Sequence, residues 1–409
     1  MLASEEKSLN RENAKIKHIF KKHITVEEMK EYSFPGVYVD EDVINKNGVA
    51  LVPKGTDLES LAKFAPGMEE TLRKWGIISI NISIQEQIEV KTLENIIKSS
   101  AVDFMKVDPK FARDTVEQVS DVYGRIANGV CEPEDISNLV DQGNTLAKAV
   151  VQAPEIMFCL GHVRESDEYT YVHSLNVALI GGFVANKLFP GNEDLVRCLS
   201  TGGVLHDLGK ARVPSEILNK PGPLTDPEFE IMKKHTIYGE ELAKGFGVHD
   251  PRILSVIRGH HERYSGNGYP DVLSADKISI EAKISAVADV FDALTAKRVY
   301  KEPMECRNAI IMMIEKMSQH FDPVILRALV TSIGLYPPGA TVELSDGSLG
   351  VVVGTSGKDL VRPNIMISFD KNGRKAEGVQ IIDLSKIDEK ADEPVFIKKV
   401  IQDLGKIAF

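Results

Sequence analysis

The sequence predicts a mainly α protein: a helical bundle, a small mixed α/β module ahead of it and a small antiparallel β module behind it. Three observations predict this. Helical patterning with marked helix starts runs from about 156 to 333. Short β-prone runs and one strict alternation mark the first 88 residues. After 334, Asp-Gly and Asn-Gly dipeptides separate apolar runs, which signals hairpins. At 409 residues the chain also exceeds one ordinary domain.

Within residues 1–88, FPGVYVDEDVINKNGVALVPKG places short strands around the turn Asn45-Lys46-Asn47-Gly48. A helix is expected at ESLAKFAPGMEETLRKWG, broken near Pro66-Gly67. In IISINISI, Ile78, Ile80, Ile82 and Ile84 alternate with other residues, the pattern of a half-buried strand. Residues 89–155 read as helices, either a connector or the opening of the next domain. Within 156–333, Thr225-Asp226-Pro227-Glu228 combines a capping box with a first-turn proline. Asp250-Pro251 is a second N-cap of this kind. Past Gly334–Gly339, the stretches TVELSDGSLGVVVG, NIMISFDKNG and GVQIIDL read as strands, and EPVFIKKVIQDLGKI as a last helix closing the 334–409 module.

The net charge is −11, with 43% hydrophobic and 27% charged residues. That is the balance of a soluble globular chain and disfavours a protein that coats polymeric nucleic acid. It leaves room for a small anion in a locally basic pocket. No apolar run of about 18 residues predicts a membrane span, and the polar start is no secretory signal. Cys131, Cys159, Cys198 and Cys306 are scattered and form no CxxC pair, so reduced thiols and a cytoplasmic location are expected.

The chemistry concentrates in the helical segment. Of ten histidines, five stand in distinctive contexts: His173, His206, His235, His260 and His261. His206 precedes Asp207 in GGVLHDLGK, and His260 and His261 are adjacent in IRGHHERYSGNGYP. Asp289 and Asp292 interrupt the apolar helix ISAVADVFDALTA. Taken singly, His235 on the face Ile231, Tyr238, Leu242 is an ordinary core histidine, and His260 continues an apolar stripe. Taken together, so many imidazoles and carboxylates on apolar faces need compensation. Divalent cations offer it, and this ligand set suits iron, manganese, nickel or zinc. Asp207, with two oxygens, is the natural shared ligand of two ions. Lys210, Arg298 and Lys301 could neutralise phosphate charge, although each also reads as a solvated helix-end cation. Gly266, Gly268 and Pro270 form a tight loop that could present Tyr269 to a ligand.

HDLGK, KKH, HHERYSGNGYP and ADVFDALTAKRVYK, in that order, resemble the HD-GYP domain of bacterial cyclic di-GMP phosphodiesterases, a branch of the HD metal-dependent phosphohydrolases. The resemblance covers roughly residues 160–333 and implies a helical HD-type catalytic bundle over 156–333. It further implies that His173, His206, Asp207 and Asp289 hold one metal. Asp207 then bridges to a second held by His235, His260 and His261. Lys210 falls near the scissile phosphate, and Tyr269, Arg298 and Lys301 contact the nucleotide. The implied reaction is attack by a metal-bridging hydroxide, opening cyclic di-GMP to pGpG and then GMP. Iron or manganese is expected. Some members place a glutamate four residues before the first histidine ligand, supporting a third metal. Here Tyr169 stands there, with Glu168 beside it, so two metals are expected. The alternatives are a metal-bearing cyclic dinucleotide sensor with little turnover and an HD phosphohydrolase acting on another nucleotide such as cyclic GMP-AMP. The end modules are expected to be regulatory, with a protein partner for the N-terminal one and a homodimer through helices of 89–155.

Overall fold

The computed structural model describes residues 15–89, 109–152, 169–296, 304–354, 359–388 and 394–402. The chain divides into two compact units. One comprises Met1–Ser100, Thr341–Val351 and Asn364–Ile401; the other comprises Ala101–Ala340, Val352–Pro363 and Gln402–Phe409.

In the first unit, β1 (Lys15–Thr25), β2 (Val37–Val39) and β5 (Ser79–Glu89) form a sheet of order β1-β5-β2, while β3 (Val43–Ile44) pairs with β4 (Ala50–Val52). On β5 the expected alternation buries Ile80, Ile82 and Ile84; Ile78, one residue ahead of the strand, is 77% exposed. Polarity disguised β1. Among its described side chains Phe20 and Ile24 are buried, and antiparallel pairing with β5, Phe20 opposite Ile84, holds the strand. The expected helix splits at Pro66-Gly67 into α1 (Leu58–Phe64) and α2 (Met68–Lys74), and Asp57 caps α1 by accepting from the Ser60 N–H at 2.7 Å.

The C-terminal strands β6 (Thr341–Leu344), β7 (Leu349–Gly354), β8 (Asn364–Phe369), β9 (Lys375–Asp383) and β10 (Ile397–Gln402) form a sheet of order β10-β6-β7-β8-β9. Asp346-Gly347 and Asn372-Gly373 make the turns, as their dipeptides predict. The last helix expected at EPVFIKKVIQDLGKI is corrected: its described part is β10. The β-branched Ile397, Val400 and Ile401 favour extended backbone. The free edge of β6 supplies partners, through the Ser345 N–H donating to the Phe396 carbonyl at 2.8 Å and a Lys398–Glu343 ion pair at 2.6 Å. Phe20 and Phe369 meet at 6.4 Å between ring centroids, so residues from both ends of the chain share one core.

The second unit is helical. Its elements are α3 (Pro109–Ala127), α4 (Pro133–Gln152), α5 (Tyr169–Leu188), α6 (Glu193–Leu205), α7 (Ser215–Leu218), α8 (Asp226–Lys233), α9 (His235–Gly245), α10 (Pro251–Gly259), α11 (Ile280–Thr295), α12 (Cys306–Glu315) and α13 (Pro323–Ile333). Helices α5 and α11 are apolar nearly all round and run through the interior. Helices α3 and α4 bury Val116, Val119, Leu139 and Leu146 in the same core as Ile180, Phe183 and Phe291. Each such side chain contributes about 1.5–3 kcal/mol by leaving water. The Thr225 N–H donates to Glu228 at 2.7 Å, completing the expected capping box, and Asp250 caps α10 ahead of Pro251. Among the described residues, no helix is long and apolar enough to cross a membrane.

Candidate functional site

Five segments of the helical unit converge on one buried cluster. Helix α5 brings His173, and α6 ends on His206 with Asp207 next. The backbone then tightens into a 3-10 turn, Leu208–Arg212, which returns Lys210 to Asp207, Nζ to Oδ2 2.5 Å. Gly209 lies on this turn for a packing reason: a Cβ there would sit 1.9 Å from the His235 carbonyl oxygen. That close approach lets α9 deliver His235 at its first residue. Helix α10 ends on His260 and His261, and α11 supplies Asp289 and Asp292.

The two oxygens of Asp207 face different partners. Oδ1 lies 3.4 Å from His235 Nε2 and 3.8 Å from His260 Nε2. Oδ2 lies 3.3 Å from His206 Nε2 and 4.0 Å from His173 Nε2. Asp289 spans the cluster, with Oδ1 at 3.0 Å from His173 Nε2 and Oδ2 at 3.6 Å from His261 Nδ1.

Outer partners orient the rings. His206 donates from Nδ1 to the Gly203 carbonyl at 2.7 Å, His235 to Met232 at 2.7 Å and His260 to Ile257 at 2.9 Å. His173 donates from Nδ1 to Asp292 Oδ2 at 2.6 Å, while Asn176 donates to Asp292 Oδ1 at 2.7 Å. With their protons held outward, these rings aim Nε2 inward, the arrangement of metal-ligating histidines.

Burial depresses the pKa of His235 to about 4 and of His260 to about 3, the latter with help from neighbouring His206 and His235. Burial also opposes charge on His173, but hydrogen bonds to Asp289 and Asp292 outweigh it and raise it to about 9. Burial likewise opposes charge on Asp207, yet His206 and Lys210 hold its carboxyl well below the usual range. Burial of Asp289 is outweighed chiefly by His173 and His261.

The donors fit divalent cations. His235 and His260 face each other Nε2 to Nε2 at 3.3 Å, both with Nδ1 committed outward and both neutral at pH 7. Two lone pairs so close are unfavourable without a cation to share. His206 Nε2 and Asp207 Oδ1 are buried without a hydrogen-bond partner. Among the described residues, three sets have ligand atoms mutually within 4.8 Å: His235, His260, His261; His173, His206, Asp289; and His206, Asp207, His260.

These shifts set a sign for metal-free stability. Below pH 6.5 the unfolded chain protonates imidazoles that His235 and His260 keep neutral in the fold until about pH 4 and 3. Unfolding then takes up protons, so stability falls as pH drops from 6.5 toward 4, by several kcal/mol in all. His173 acts oppositely: its contribution is full below 6.5 and is lost as pH rises through about 9. For these three groups, chelator-treated protein is expected to be most stable near pH 6.5. Calorimetric Tm values across pH 4–9 check this, and a flat profile counts against it.

All seven expected ligands and Lys210 come together. Tyr269 joins them, its ring 4.6 Å from that of His261. Arg298, Lys301 and Glu168 lie outside the described residues. Tyr169 opens α5, and its side chain is likewise outside. Three contributors escaped the sequence reading. Asp292 appeared there only as a costly carboxylate. Asn176 carries a faint signal, a buried amide one turn after His173 in an apolar helix. Glu262 accepts from the Asp271 N–H at 2.7 Å and the Leu273 N–H at 2.9 Å, tying down the loop that carries Tyr269.

Fold and site define a helical domain with a buried histidine–aspartate cluster that could hold metal ions. Residues 182–325 match the family model described as HD domain, and residues 341–403 that of a KOW domain associated with HD domain. A cyclic di-GMP phosphodiesterase of Pseudomonas aeruginosa is 39% identical over 251 residues, 61% of this chain and 59% of its own length. A cyclic di-GMP phosphodiesterase response regulator of Xanthomonas campestris is 41% identical over 152 residues, 37% of this chain and 40% of its own. A 3'3'-cGAMP-specific phosphodiesterase of Vibrio cholerae is 34% identical over 199 residues, 48% of this chain and 37% of its own. The matches thus span less than two thirds of these relatives. Within the helical unit, the stretch 182–325 is thus similar to HD domains.

Proposed function

We propose that this chain is a metal-dependent phosphodiesterase that opens cyclic di-GMP to linear pGpG, with further cleavage to GMP. One observation carries the reading: inward-aimed imidazoles surround Asp207, whose two oxygens face different ligand sets. In this reading His173, His206, Asp207 and Asp289 hold one cation, and Asp207, His235, His260 and His261 a second. Bound there, iron or manganese supplies an acidified water and polarises the phosphoryl group. The chain's residues do the rest. Asp292 and Asn176 fix the tautomer of His173. Lys210, beside Asp207, balances charge on the phosphoryl oxygens. Tyr269 borders the nucleotide, and Arg298 and Lys301 contact it as the resemblance implies. The relatives' names support the cyclic dinucleotide class.

The test is turnover by anaerobically purified, iron- or manganese-loaded protein offered cyclic di-GMP, 3'3'-cyclic GMP-AMP and cyclic di-AMP. Cyclic di-GMP is expected to be the preferred substrate, with pGpG appearing first. Binding without product would instead mark a sensor, and preference for the mixed dinucleotide would reassign the substrate. The reading also places the protein in the cytoplasm, with the N-terminal module meeting a regulatory partner. Light scattering tests for a homodimer.

A further inference from the structure

Helix α8 has no fully buried residue, yet it carries a large aromatic ring, Phe229, that is 45% exposed. Core packing does not account for it. Phe229 stands edge-to-face against Tyr269, centroids 6.1 Å apart and planes at 84°. Tyr269 in turn lies 4.6 Å from the His261 ring and 6.3 Å from that of His235. The exposed ring is therefore one aromatic step from the metal-ligand cluster. Lys233, one turn after Phe229, holds Nζ 5.3 Å from the Phe229 centroid and 6.0 Å from that of Tyr269, and it ion-pairs with Glu230. The position of α8 is tied to the site as well, because its Met232 carbonyl accepts from His235 Nδ1.

We propose that Phe229 is a stacking platform for one purine base of the cyclic dinucleotide, with Tyr269 setting its edge and Lys233 fixing the ring pair. This rests on the phosphodiesterase reading above. A phosphodiester at the Asp207 cluster must carry its nucleosides outward, and a half-exposed ring beside that cluster offers a π face to any purine. The platform holds substrate without touching the reacting phosphorus, so it acts on binding rather than on the chemical step.

Steady-state kinetics of the metal-loaded full chain test this. Phe229→Ala and Phe229→Leu are expected to raise KM for cyclic di-GMP by roughly 5- to 50-fold, with kcat within about twofold and metal content retained. Phe229→Trp should restore KM. Its fluorescence should also be quenched on stopped-flow mixing with cyclic di-GMP, before turnover, above the baseline of Trp75, the single native tryptophan. Wild-type turnover with unchanged KM in both the Ala and Leu variants overturns the platform alone. So does normal KM in the Leu variant with metal lost only in the Ala variant, which assigns Phe229 to packing. A wild-type protein that turns over no cyclic dinucleotide overturns the phosphodiesterase reading, and the platform with it.

Discussion

Replacing Asp207 with alanine is expected to abolish metal retention and phosphodiester hydrolysis together. Asp207 is 1% exposed and faces both ligand sets, Oδ1 toward His235 and His260, Oδ2 toward His206 and His173. Asp289 also spans the cluster, but meets one histidine with each oxygen, His173 and His261, where Asp207 faces two. Loss of Asp207 removes one anionic ligand from each site and leaves Lys210 as an uncompensated cation beside the cluster. Metal assistance is worth several kcal/mol, so the loss in kcat/KM is about 1000-fold or more. Elemental analysis of the purified variant, beside the hydrolysis assay, checks both halves. Asp207→Asn keeps the shape and should fail similarly, because an amide has one acceptor oxygen where two are needed. Full activity in the alanine variant would sink the two-metal reading.

The second large effect is expected at Asp292, which touches no reacting group. Its carboxylate accepts from His173 Nδ1 on one oxygen and Asn176 Nδ2 on the other. In Asp292→Asn only one of these acceptors survives, and the new NH₂ meets either the Asn176 amide or His173 Nδ1. In the second case His173 must accept at Nδ1 and carry its proton on Nε2, where the ligand lone pair is required. Losing such an outer partner costs roughly 10- to 100-fold in metal affinity or activity. Activity should recover as metal concentration rises, which a collapsed fold would not allow. Metal titration of wild type and variant checks this; equal affinities would remove Asp292 from the positioning role.

Much of the site was legible because its key parts are short and contiguous. The pair His206-Asp207 and the pair His260-His261 are each two residues of one chain segment, and isolated carboxylates such as Asp289 are conspicuous in an apolar helix. Helix starts at Thr225 and Asp250 were readable for the same reason: a cap is satisfied within three residues. The C-terminal segment was not readable. Ile397–Gln402 suits either helix or strand by pattern, and the open edge of β6 decided for strand. Nor was β1, whose charged residues disguised the buried Phe20 and Ile24.

By itself the sequence determined the candidate ligand types, their order and the loop that carries Tyr269, since those depend on neighbours along the chain. Only the tertiary structure decided which Asp207 oxygen meets which histidines, and that Asp292, 119 residues from His173, sets that ring's tautomer. It also set Phe229 against Tyr269 and brought Phe20 to Phe369. Such pairings arise from which helices and strands pack together. Packing is settled by burial and close approach between distant segments, as where Gly209 admits α9, and no local pattern encodes the distances that result.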